Sequence, residues 1–209
     1  MRSNRSLDVV RVVTHLGALI PLVTLIWDIV LNRLSVNPIQ DITFRTGKPA
    51  LVLLVLTLAC TPAKTIFGLR DALRIRRTLG LYSFSYACLH FLVFVGLDYG
   101  LDLLLLREAI LEKPYALVGF LAFLTLIPLA ITSTVNWMRR LGRRWKLLHR
   151  LVYVTGTLAV VHYVWLVKSD IRQPLAFGAA IGLLLLARLP VIGRAARRMR
   201  VKFRTNVIV

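Results

Sequence analysis

Apolar runs long enough to cross a bilayer recur six times along this 209-residue chain, and they constrain the fold more than any other feature. One helical crossing of a hydrocarbon core takes about 20 mostly apolar residues. The runs fall at approximately 9–31, 49–67, 79–97, 115–135, 147–167 and 173–192. Within hydrocarbon, each backbone N–H and C=O must find its partner inside the segment. The expected fold class is therefore an all-α membrane protein: a six-transmembrane helical bundle forming one domain over residues 1–209. Pro21 and Pro128 lie inside runs and are expected to kink them. Asn37-Pro38, Gly47-Lys48-Pro49, Lys113-Pro114 and Gln173-Pro174 read as loop punctuation. No internal repeat is evident, and the first run is too long for a cleaved signal peptide.

Charge sets the expected orientation. Of 28 Lys and Arg, 20 fall in the N-terminal tail, the second-to-third and fourth-to-fifth loops, and the C-terminal tail. Seven fall on the other side, where six of the nine acids also lie: Asp41, Asp98, Asp102, Glu108, Glu112 and Asp170. Cytoplasmic loops carry the excess of Lys and Arg, so both termini are expected in the cytoplasm. Trp137 and Trp145 then fit the inner interface, and Trp27 and Trp165 the outer one. The net charge of +19 resides in loops between apolar runs rather than on a soluble basic face. Contact with anionic membrane lipids is expected and a nucleic-acid partner is not. Cys60 and Cys88 both sit in apolar runs, with neither a disulfide framework nor a zinc spacing.

Ionisable rings in hydrocarbon are costly and mark candidate functional sites. His90 lies in the third run; His149 and His162 lie thirteen residues apart at the fifth. Thirteen residues of helix rise about 20 Å, so these two stand at different depths. They do not share a face of a straight helix, although Gly156 between them could relax that geometry. His90 and His162 match in depth on different helices, near the outer surface, and suit the two axial positions of one haem iron. Hydrogen-bonded packing between helices is the alternative for both. A second haem at the level of His149 would want a histidine where the chain has Arg76 and Arg77. His15, alone on the first run, is read as a packing or headgroup-facing residue, or as a proton-handling group at a quinone or flavin site. Proton-handling transport and a scaffolding role are the competing functions. The runs contain no central acid, which counts against transport.

Three stretches resemble the MsrQ (YedZ) family: RRTLGLYSFSYACLH, TSTVNWMRRLGRRWKLLHRLVYVTGTLAVVHYVW, and NPIQDITFRTGKPAL. Members are haem-bearing membrane subunits of bacterial protein-methionine-sulfoxide reductase systems. The resemblance extends over essentially the whole chain. It implies a bundle of the ferric-reductase-like transmembrane type in the bacterial inner membrane. It also implies haem b, one or two per chain, and FMN. The haem histidines would be His90, His162 and His149, the first two forming the outer pair. The implied partner is a periplasmic MsrP-like molybdenum-cofactor reductase, fed by quinol or by a flavin reductase. No G-x-G-x-x-G follows the last run, so NAD(P)H binding by this chain is not expected.

Overall fold

The computed structural model describes residues 2–167 and 170–189, and every regular element among them is helical. Nine α-helices follow in order: α1 Arg2–Val30, α2 Pro38–Pro62, α3 Ala72–Val93, α4 Leu103–Glu112, α5 Pro114–Ile131, α6 Val135–Leu141, α7 Arg143–Leu148, α8 Leu151–Leu166 and α9 Arg172–Leu186. Short π-helical turns, Ala63–Phe67 and Phe94–Asp98, extend α2 and α3. Five segments are long and apolar enough to cross a membrane: α1, α2 with its extension, α3 with its extension, α5, and α7–α8 together. The shorter apolar α9 corresponds to the sixth run. The protein is thus an all-α, multi-pass membrane bundle. The end of the sixth run and most of the basic C-terminal tail lie outside the described residues.

Helix boundaries differ from the sequence reading where local capping overrides composition. Helix α2 begins eleven residues earlier than the second apolar run, because Asn37 caps it by accepting the Gln40 N–H and Pro38 occupies its first turn. Gly47 and Pro49 are therefore helix interior rather than loop. Helix α3 also starts early, at Ala72 rather than Leu79, but without a side-chain cap. The fifth run is broken: α7 ends at Leu148, His149 and Arg150 form a turn, and α8 starts at Leu151. Gly142, at φ +49°, separates α6 from α7 in a conformation that favours glycine. The loop between the third and fourth runs folds into α4, which Asp102 caps through the Leu104 and Leu105 N–H groups.

Helix α2 is central. One side contributes Leu51, Leu54 and Leu58 to a core with Leu129, Val152, Tyr163 and Ile181. Its other side contributes Leu53 and Cys60 to a core with Ala18, Leu79 and Tyr86. The most extensive pairings are α2 with α3 and α5 with α8. Gly156 lies against Ile181 and Leu58, so it serves close packing of α8 on α9 and α2.

Two polar contacts repair backbone disturbed by proline. Behind Pro21, the buried Tyr86 hydroxyl donates to the Ala18 carbonyl at 2.7 Å and accepts the Leu22 N–H at 3.0 Å. It thereby stands in the gap of the α1 ladder, the arrangement expected where a side chain enters a helix. Tyr86→Phe is expected to lower stability by about 1 kcal/mol, the scale of a buried hydrogen bond in a membrane bundle. A lower midpoint of thermal unfolding in detergent would register it. Further along, Pro62 has no N–H for the Leu58 carbonyl, and the Arg188 guanidinium donates to that oxygen instead, at 2.6 Å.

Candidate haem site

His90 comes from α3 and His162 from α8, and the fold brings their rings together. The centroids are 6.2 Å apart and the ring planes cross at 80°. Each ring is anchored to a backbone carbonyl on the neighbouring helix. His90 Nδ1 lies 3.0 Å from the Thr43 carbonyl of α2, and His162 Nδ1 lies 2.7 Å from the Tyr115 carbonyl of α5. A carbonyl only accepts, so both rings carry their proton on Nδ1 and leave the Nε2 lone pair for a ligand. A backbone carbonyl on the second nitrogen is the usual support of a metal-binding histidine.

A cavity of about 230 Å³ lies between these helices, bounded by both histidines, Gly47 and Gly119. Phe91, Phe120 and Phe123 form an aromatic wall to it, with Phe91 and Phe123 stacked at 4.8 Å. The hydroxyl-bearing Ser83 and Thr155 also line it, each 1% exposed. So do Lys48 and Asp98. The sequence reading missed Lys48, assigning it to a loop; once α2 starts at Pro38, it stands next to Gly47.

These features fit a haem. Two imidazoles bound to one metal through bonds of about 2 Å place their ring centres about 6 Å apart. Among the described residues no group of three or more His, Cys, Asp or Glu converges on a metal position. Two axial imidazoles without further protein ligands suit a metal that brings its own equatorial ligands, and the flat aromatic wall suits a macrocycle.

The other sequence candidates lie elsewhere. His149, in the turn before α8, meets the Thr132 hydroxyl through Nε2 at 3.1 Å and stacks on Trp145 at 4.0 Å. Arg76 is within electrostatic reach of His149, Arg188 and Tyr153. Arg77, by contrast, is exposed. Among the described residues neither Arg76 nor Arg188 has a carboxylate partner, so this end of the bundle carries uncompensated positive charge. His15 is exposed on α1, its Nδ1 2.9 Å from the Tyr82 hydroxyl of α3, and joins neither of the other histidine sites.

A multi-pass helical bundle with paired imidazoles defines the class, and the comparisons agree with it. The family model for the ferric reductase like transmembrane component matches residues 46–160, more than half of the chain. A curated relative from Xanthomonas axonopodis pv. citri is 43% identical over 88% of this chain and 87% of its own length. Another, from Ralstonia nicotianae, is 44% identical over 93% of this chain and 91% of its own. Both are named protein-methionine-sulfoxide reductase heme-binding subunit MsrQ. The chain belongs to the MsrQ family, within the ferric-reductase-like transmembrane group. No solved structure matches it.

Proposed function

We propose that this protein is a haem b electron-transfer subunit of a protein-methionine-sulfoxide reductase system, with one haem held between His90 and His162. The observation that carries this reading is the facing imidazole pair, each ring fixed on a neighbouring helix carbonyl through Nδ1 with Nε2 left free. The names of the relatives, heme-binding subunits of that system, support it. A haem held by these two histidines would supply a one-electron iron couple, and so would suit electron carriage.

The chain's own groups divide the remaining work. His90 and His162 would ligate the iron, while Phe91, Phe120 and Phe123 would bury the macrocycle and exclude water. Lys48 would hold a propionate carboxylate at the cavity edge. The second candidate site lies at His149 and Arg76, whose positive surroundings suit an anionic cofactor or donor. Arg77 belongs to the surface around it, where a quinol, FMN or a flavin reductase would deliver electrons. The exposed His15, in contact with the Tyr82 hydroxyl, would supply a proton acceptor of the kind a quinol needs.

In this reading residues 1–209 form one domain in the bacterial inner membrane, with both termini cytoplasmic. Electrons pass outward to a periplasmic molybdenum-cofactor methionine sulfoxide reductase. Detergent-purified protein should show a reducible b-type absorbance band, and haem stoichiometry with flavin extraction gives the cofactor count. Folded protein with no reducible band would overturn the proposal.

A further inference from the structure

The supports of the two histidines are related by a constant step. His90 reaches the Thr43 carbonyl and His162 the Tyr115 carbonyl across the same interval of 47 residues. Adding 72 to a residue number carries Thr43 to Tyr115, Gly47 to Gly119, Ser83 to Thr155 and His90 to His162. The helix pair α2–α3 and the pair α5–α8 thus present their histidines equivalently, although few residues besides these coincide. The correspondence fails at the basic end, where the step relates the exposed Arg77 to His149.

The glycines are the residues that this equivalence singles out. In each pair a glycine stands one helical turn beyond the carbonyl that accepts the imidazole proton, and the ring lies over it. A Cβ on Gly119 would sit 2.6 Å from His162 Nδ1 and 2.7 Å from its Cε1. A Cβ on Gly47 would sit 3.0 Å from the same two atoms of His90. Both glycines are inside helices, where alanine is intrinsically the better residue. Local helix stability therefore does not explain them, whereas clearance for the ring does.

We infer that Gly47 and Gly119 are positioning residues of the paired-imidazole site. With the Thr43 and Tyr115 carbonyls they fix each ring's rotation and Nδ1–H tautomer, and hence the crossed planes. This inference rests on the haem reading for its spectroscopic consequence. Perpendicular axial imidazoles leave the two iron orbitals that π-bond with them nearly equal in energy, so the low-spin ferric signal should be strongly anisotropic.

The test compares the wild type with Gly47→Ala, Gly119→Ala and Gly182→Ala in full-length detergent-purified protein. Gly182 lies in α9, and a Cβ there meets nothing within 4 Å. The expected result is a strongly anisotropic low-spin electron paramagnetic resonance signal in the wild type and in Gly182→Ala. Gly119→Ala should weaken haem retention by about 10–100-fold, the usual range for losing the support of a metal ligand. Gly47→Ala, whose contact is less severe, should retain more haem but shift the signal. Unchanged haem retention and an unchanged signal in both variants would overturn the inference. If Gly119→Ala does not accumulate, Gly47→Ala decides the question alone. Nitrogen-15 histidine spectra of haem-free protein give a second readout: the Nδ1–H tautomer should be present at His90 and His162 and disturbed in the variants. A wild type that shows this tautomer but takes up no haem would defeat the proposed function and leave the positioning intact. A wild type without the tautomer would overturn the positioning itself.

Discussion

His162→Ala and His90→Ala are each expected to abolish the b-type absorbance band of the haem proposed between α3 and α8. Both imidazoles line the cavity, with their ring centroids 6.2 Å apart. Loss of a ligand should exceed the roughly 10–100-fold cost in affinity of losing a ligand's hydrogen-bond partner. His149→Ala should leave that band in place, because His149 turns its Nε2 to Thr132 at the basic end. Haem-to-protein ratios across the three variants check this. Full haem in both His90→Ala and His162→Ala would contradict the pairing.

The second large effect is expected at Arg188. Its guanidinium donates to the Leu58 carbonyl that Pro62 leaves without a partner, and to the Tyr153 hydroxyl at 2.7 Å. Arg188→Leu strands that carbonyl in an apolar bundle, at a cost of about 1–3 kcal/mol, with more lost at Tyr153. Thermal unfolding in detergent should show a clearly lower midpoint. Pro62→Ala in the same background should recover part of the loss, because Pro62 already has helical backbone angles and alanine restores the missing N–H. A midpoint unchanged in Arg188→Leu would mean that another donor serves Leu58. Absence of rescue by Pro62→Ala would place the cost at Tyr153.

The six-helix plan was legible because hydrocarbon tolerates few alternatives: long apolar runs must be helices, and basic loops mark one end. The apolar positions of His90 and His162 were equally visible, since ionisable rings are conspicuous in such runs. Boundaries were less legible. Asn37 and Pro38 begin α2 well before its apolar stretch, which moved Gly47 and Lys48 from an assumed loop into the helix beside His90. The turn at His149 was hidden within a continuous apolar window.

Residue order by itself determined that this chain is a membrane bundle with histidines at two levels, because burial cost depends on residue type and run length alone. The tertiary structure decided which rings meet, which nitrogen each leaves free, and that Arg76 rather than Arg77 accompanies His149. Those outcomes depend on helix rotation and on the separation of α2 from α3 and of α5 from α8. Both are set by packing between residues far apart in the chain, including two glycines small enough to let the rings reach a carbonyl.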